Sequence, residues 1–504
     1  MTDLFQNLSV GLHSALTLIN LGYCLLGVLI GTLVGILPGL GPVATLALLL
    51  PITYALDPTA AIIMLAGIYY GSQYGGSTTA ILMNIPGEAS ALVTCIDGHK
   101  IAQKGYAGSA LGVAAIGSFI AGSVATLLIA MASPLLAQVA LYFGAVEYFS
   151  LMLLGLVGAV VLANGDILKA FAMVILGLLL GIIGTDVNSG TLRFTFNTLT
   201  LQDGIDFVVI SMGIYGVAEI LKNLQAMVAN PNIQTHEVKS PWPKMSHLKA
   251  SLGAIIRGTG LGSLLGILPG GGALLASFAA YTLEKKIKLA PSETPVGQGN
   301  IRAVAGPESA NNAGAQTSFI PMLTLGVPSN AVMALMMGAL IIHNITPGPQ
   351  VISTNPDLFW GLIVSMWVGN LFLVILNLPL VGLWVQILRI PYRWLYPAIL
   401  AVCVIGVYSV NFNVYDIAVM VIFAGLGYAF YQLRFEPAPL ILGFVLGPLM
   451  EENLRRALLL SRGDPTVFVT SPISACLLTI ALILLVATCI PKIRSARDEA
   501  FIED

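Results

Sequence analysis

Four stretches of this chain contain no Asp, Glu, Lys or Arg: those between Asp3 and Asp57, Lys104 and Glu147, Asp357 and Arg389, and Asp464 and Lys492. A helix needs about 20 apolar residues to cross the hydrocarbon of a bilayer, so each stretch holds at least one crossing and several have room for two. Soluble domains carry about 25% charged residues spread over their surfaces; this chain has 9% charged and 57% hydrophobic residues among 504. The alternation of apolar and polar positions that a membrane β-barrel requires is missing from runs such as "LLIAMASPLLAQVALYF". The fold class is therefore an all-α polytopic membrane protein, with about 12 membrane segments once short and broken ones are counted.

Apolar runs and their punctuation predict helices near 15–37, 43–56, 58–83, 106–133, 145–163, 166–184 and 203–224 in a first half spanning 1–229. A second half, 250–504, carries helices near 250–268, 273–287, 315–326, 330–344, 358–388, 394–410, 414–432, 437–449 and 472–490. Between them, 230–249 holds three prolines and three lysines without apolar periodicity and reads as an extramembrane linker. The net charge of −2 gives no sign of nucleic-acid binding. Five cysteines, scattered singly without CxxC spacing, read as packing residues. No Lys or Arg precedes the first apolar run, so that run is expected to stay as a membrane helix rather than act as a cleaved signal.

One interruption occurs twice. "GILPGLGP" (Gly35 to Pro42) returns as "GILPGGGA" (Gly266 to Ala273), 231 positions later, and the surrounding 20-residue windows from Gly27 and Gly258 agree at 9 positions. Downstream, "STTAILMNIPGEASA" (Ser77 to Ala91) has a looser counterpart in "SFIPMLTLGVPSNAVM" (Ser318 to Met333), in the same order. Matched interruptions in two halves are the pattern of an internally duplicated transporter. Proline removes a backbone donor and glycine turns without steric cost. In hydrocarbon the freed backbone groups survive only where protein, water or a bound solute satisfies them. A helix restarting after such a break points N–H groups and a positive dipole end at it, which suits an anion, and carbonyls left behind suit Na⁺. Lysines at 239, 244 and 249 precede the second break and those at 285, 286 and 288 follow it, so that segment is expected to enter and leave on the cytoplasmic side. Lys492, Arg494 and Arg497 favour a cytoplasmic C-terminus.

The candidate solute-binding set follows from these motifs. It comprises Pro38, Gly39 and Gly41 at the first break, with Ser77, Thr78, Thr79 and Asn84 downstream; Pro269, Gly270 and Gly271 stand at the second break. Asn311, Asn312, Gln316, Thr317, Ser318, Ser329 and Asn330 complete it. Neutral donors of this kind bind a carboxylate without burying an arginine, whereas each hydroxyl can instead bond its own helix. Glu308, the lone charge between Arg302 and Asp357, is the candidate for a coupling cation or proton if it lies at membrane depth. Asp97, beside His99, Lys100 and Lys104, reads as interfacial; His343 as a polar helix end; Arg455 and Arg456 as a solvated face.

"GILPGLGP", "YGGSTTAILMNIPGEASA", "IDGHKIAQKG", "GPESANNAGAQTSFIPMLTLGVPSNA", "HNITPGP" and "LILGFVLGPLMEENLRRAL" together resemble the large membrane subunit of the tripartite tricarboxylate transporters, the TctA family. The resemblance implies a bacterial inner-membrane permease importing a carboxylate on an ion gradient. It also implies a small membrane subunit and a periplasmic solute-binding protein as partners. The expected function is secondary-active uptake of citrate or a related acid, by alternating access, with Na⁺ or H⁺ and no cofactor. A passive organic-anion channel with paired re-entrant loops is the alternative. The chain has no P-loop, HExxH or GxSxG, so an enzyme is the weakest reading.

Overall fold

The computed structural model describes residues 2–37, 41–140, 142–161, 163, 166–186, 189–229, 238, 242–268, 272–288, 293–387 and 392–489. The helices of the first half are α1 (Thr2–Ala15), α2 (Leu18–Gly35), α3 (Pro42–Thr53), α4 (Pro58–Met83), α5 (Leu92–Ile101), α6 (Ala107–Ala140), α7 (Ala145–Val161), α8 (Ile167–Gly181), α9 (Phe207–Ser211) and α10 (Ala218–Ala229). Residues Ala102–Tyr106 and Met212–Val217 are π-helical turns, and Gly184–Thr185 pairs antiparallel with Leu192–Arg193. The helices of the second half are α11 (Met245–Leu265), α12 (Gly272–Lys286), α13 (Arg302–Thr317), α14 (Phe319–Leu325), α15 (Ala331–Ile342), α16 (Val351–Thr354), α17 (Pro356–Asn377), α18 (Val381–Ile387), α19 (Tyr392–Asn411), α20 (Val414–Gln432), α21 (Ala438–Leu460), α22 (Val467–Thr470) and α23 (Pro472–Cys489). Among the described residues the fold is all-α apart from that two-stranded hairpin. Among the described residues, four helical stretches are long and apolar enough to cross a membrane: Leu18–Gly35, Ala89–Leu136, Pro356–Asn377 and Val414–Gln432. Leu18, Ile19, Leu168, Leu482 and Ile483 stand exposed on outer helices, as lipid-facing side chains do.

Glycine spacing sets the central packing. On α2, a Cβ at Gly27, Gly31 or Gly35 would lie 2.3–2.5 Å from the carbonyl oxygen of Met64, Ile68 or Ser72 on α4. Gly67, Gly71 and Gly75 return the contact from α4 onto Cys24, Val28 and Thr32. Small residues every fourth position let backbones approach where lipid supplies no hydrophobic drive. Contact positions rise together on both helices, so α2 and α4 run parallel. Its last turn, at Gly35, faces Ser72 near the middle of α4 (Pro58–Met83). At a rise of about 1.5 Å per residue, that end stands about 20 Å from the start of α4. Helix α3 then leads back to the start of α4, so α2 and α3 form a hairpin, with the last turn of α2 beside the middle of α4.

The second half has the same arrangement. Gly258, Gly262 and Gly266 of α11 press on Gly306, Ala310 and Gly314 of α13, each partner displaced by 242 from its counterpart on α4. Helix α12 returns antiparallel, with Gly314 against Ala273 and Gly306 against Glu284. The outer end of this hairpin is clamped by charge. Glu284, 1% exposed, accepts from Arg257 (2.8 and 2.9 Å) and from Arg302 (3.0 and 3.1 Å), and Arg302 also holds Glu293 at 3.0 Å. Asp97 is fully buried and accepts the N–H groups of Gly297, Gly299 and Asn300 and the hydroxyl of Tyr281. It ties α5 to the loop before α13.

Candidate functional site

After the helix beside each hairpin the chain makes the same turn. Helix α4 ends at Asn84 (φ 58°, ψ 30°) and α14 at Gly326 (φ 67°, ψ 28°), both left-handed caps. Such a cap stops a helix and turns the chain back. The returning segment packs Gly87 against Gly76 in the first half and bonds the Ser329 hydroxyl to the Ser318 carbonyl at 3.3 Å in the second. Both returns then meet the starts of α3 and α12. A Cβ at Gly41 would sit 3.7 Å from the Gly87 carbonyl, and one at Gly272 would sit 3.1 Å from Asn330 Nδ2.

A cavity of about 430 Å³ opens where these pieces converge. Its walls include Gly41–Ala44 and Ala273–Leu274 from the starts of α3 and α12, and Pro86–Ser90 and Asn330–Val332 from the returns. Tyr69 and Gln73 of α4 close one side; Ala159, Ala163, Tyr215, Pro439 and Leu442 close the other. The first turns of α3, α12 and α15 therefore open onto it, presenting N–H groups that have no intrahelical acceptor and the positive ends of three helix dipoles. Asn330 caps α15 by accepting from the Met333 N–H at 2.9 Å. The charged lining groups are Glu88, Glu219, Glu436 and Lys222; Lys222 pairs with Glu219 at 3.1 Å and stands 4.8 Å over the Tyr431 ring.

Of the sequence candidates, Gly41 and Asn330 line this cavity. Pro38, Gly39, Pro269, Gly270 and Gly271 lie outside the described residues, as do most of 230–249 and Lys492, Arg494 and Arg497. Asn311 reaches the wall through its amide, which donates to Glu88 at 2.7 Å. Glu308 is 1% exposed in mid-α13, not in a loop, and accepts from Ser77 and Thr94, each at 2.5 Å. The others bond within or between helices. Asn312 donates to Ser118 at 2.7 Å, Gln316 accepts from Thr126, and Thr317 and Ser318 donate to carbonyls of their own helix. Thr78 and Thr79 do likewise on α4, and Asn84 is an exposed cap. Sequence reasoning left Glu88, Gln73, Tyr215, Lys222 and Glu436 out of the set. Charge inside an otherwise apolar segment was the available signal for Glu219 and Lys222.

One peripheral expectation changes. Arg455 is not a simple solvated group: it bonds Asp186 at 3.0 Å and Glu451 at 2.7 Å, joining the 184–193 hairpin to α21 together with Arg193. Asp97 is enclosed by the backbone it binds.

Residues 21–442 match the family described as the tripartite tricarboxylate transporter TctA family. The chain belongs to that family. TctA members are transporter subunits, and the chain is accordingly a multi-pass membrane protein of a tripartite transport system. It is similar to two proteins of Agrobacterium vitis. An "Uncharacterized 52.8 kDa protein in TAR-I ttuC' 3'region" is 56% identical over 504 residues, the full length of both chains. An "Uncharacterized protein in TAR-II ttuC' 3'region" is 60% identical over 243 residues, 48% of this chain and all of that one. No solved structure matches.

Proposed function

We propose that this TctA member is the large permease subunit of a secondary-active, binding-protein-dependent importer of a carboxylate such as citrate or a related organic acid. It works in the bacterial inner membrane with a small membrane subunit and a periplasmic solute-binding protein that delivers the substrate. Import is coupled to Na⁺ or H⁺. The observation that carries the reading is the convergence of the starts of α3 and α12 and of both returns on one cavity. Three helix N-termini there offer a carboxylate neutral donors and positive dipole ends. Three lining carboxylates against one lysine also favour a substrate that enters with cations.

The halves are read as a duplication related by an axis in the membrane plane. Supporting this, α4 and the run of α13 into α14 occupy equivalent places yet cross in opposite directions: Tyr70 meets Phe319 (centroids 6.1 Å apart) while Ser77 meets Glu308. Equivalent helices of opposite direction imply inverted repeats, the architecture in which one half moves against the other around a fixed site. Uptake of labelled citrate and a panel of other carboxylates tests the proposal. The assay uses proteoliposomes holding this chain and its small membrane partner, with and without a binding protein, under imposed Na⁺ or H⁺ gradients. Accumulation above equilibrium that collapses with one gradient is expected. Simple equilibration indifferent to both gradients would make the protein a channel.

A further inference from the structure

Beside the cavity, buried oxygens outnumber their donors. Gln73 is 1% exposed and lines the cavity, and its Oε1 has no hydrogen-bond partner among the described residues. Asn311 is fully buried; its Nδ2 donates to Glu88 Oε1, which leaves its Oδ1 equally unpartnered. Glu88 packs against Gly76, one helical turn beyond Gln73, with its Cγ 3.5 Å from the place a Gly76 Cβ would take. The Glu88 carboxylate from the first return and the unpartnered Gln73 amide oxygen from α4 thus line the same cavity, and Asn311 of α13 joins them through Glu88. A buried acceptor without a donor costs about 1–3 kcal/mol, and a cation is the partner that would satisfy several at once.

The chemistry of the set selects the cation. Hard oxygen donors suit alkali and alkaline-earth ions rather than transition metals. A single carboxylate with neutral oxygens balances one positive charge, and no group of three or more His, Cys, Asp or Glu side chains capable of holding a metal occurs among the described residues. Glu308, the other buried carboxylate nearby, already has hydroxyl donors on both oxygens. It acts electrostatically on Glu88, so a bound cation would also relieve the repulsion between two carboxylates.

We propose that Gln73, Glu88 and Asn311 form a binding site for one sodium ion at the edge of the solute cavity. The monovalent alkali character follows from the ligands; the choice of sodium rests on the importer reading, since driving uptake takes an ion whose gradient points inward. The site lies where a carboxylate seated at the helix N-termini would share the ion, which couples occupancy of the two. Glu88 is in this assignment the coupling-cation ligand, and Glu308 is a buried neighbour.

Thermal unfolding of the full chain in detergent, titrated with NaCl against choline chloride at constant ionic strength, tests the site without transport. A ligand that binds only the folded state stabilises it by mass action, so the wild-type midpoint is expected to rise saturably with sodium. Glu88→Gln and the isosteric Gln73→Met are each expected to raise the half-saturating sodium concentration by about tenfold or more, the equivalent of roughly 1.4 kcal/mol. Glu308→Gln is expected to leave it within about threefold. An equal rise with potassium, no rise at all, or a loss confined to Glu308→Gln would overturn the proposal. Sodium binding lost in the Glu88 and Gln73 variants, alongside uptake that ignores a sodium gradient, would keep the site and remove sodium-coupled import. Proton-driven uptake with no sodium-dependent shift would do the reverse.

Discussion

The paired glycine seams make a quantitative prediction about packing. In Gly31→Ala, the new Cβ would lie 2.3 Å from the Ile68 carbonyl oxygen, where ordinary contact begins at 3.4 Å. Both atoms belong to, or sit directly on, backbone, so no side chain can rotate away and the helices must part by about 1 Å. A gap of that size forfeits about a quarter to a half of each pair's dispersion attraction. Gly262→Ala meets the same obstacle, 2.3 Å from the Ala310 carbonyl oxygen. Overpacking of this kind costs about 1–3 kcal/mol, partly offset by the gain of up to about 1 kcal/mol when alanine replaces glycine in a helix. Gly22→Ala and Gly260→Ala lie on the same two helices with nothing within 4 Å, and keep only the gain. Thermal unfolding of the purified protein is therefore expected to place Gly31→Ala and Gly262→Ala below wild type and the two controls at or above it. If Gly31→Ala unfolds together with Gly22→Ala, the close approach of α2 and α4 is wrong, and the placement of the α2 end derived from it falls too.

Other outcomes follow from single sites. Arg302→Met strips a partner from Glu284, whose carboxylate is enclosed, and should cost about 3–5 kcal/mol; Arg257→Met, at a more exposed guanidinium, should cost less by the same unfolding assay. Asp97→Ala removes the acceptor for three backbone N–H groups and a tyrosine hydroxyl, so limited proteolysis should cut within 293–300 faster than in wild type. Tyr215 lines the cavity with a buried hydroxyl that has no partner among the described residues. Tyr215→Phe should thus leave the unfolding midpoint unchanged or slightly raised while increasing the KM for carboxylate uptake.

Much of the fold could be read from apolar runs and their punctuation. The expectation of 58–83 coincides with α4 because Asp57 caps it, Pro58 opens it and Asn84 closes it, all local signals. Helix α13 was invisible to the same reasoning. Its sequence, "RAVAGPESANNAGAQT", is polar and holds a proline, yet every residue in it is buried. It is helical because its small residues fit the seam with α11, α12 and α6, a tertiary cause with no local signature. Helices α1 and α5 were missed for a related reason: each is short or mixed in character and is held by packing rather than by pattern. At the cavity, the interrupted motifs supply part of the lining, Gly41 and Asn330 among it. What the sequence could not separate was a hydroxyl aimed at solute from one bonding its own helix, as Thr78, Thr79, Thr317 and Ser318 do. Nor could it bring Glu219, Lys222 and Glu436 to the cavity, because the first two arrive from α10 and the third from the loop before α21, all distant in sequence from the breaks.

The central claim is that both interrupted halves contribute to one solute site. Substrate protection of single thiols tests it most directly. Val43→Cys at the start of α3 and Leu274→Cys at the start of α12 both line the cavity and are half-buried. In a chain whose five native cysteines are replaced, each new thiol would be labelled by a small water-soluble alkylating reagent with and without citrate or another transported carboxylate, in sodium. The same carboxylate should slow labelling at both positions over the same concentration range. Protection at one position alone, or at neither, by an acid that the protein transports would contradict a shared site.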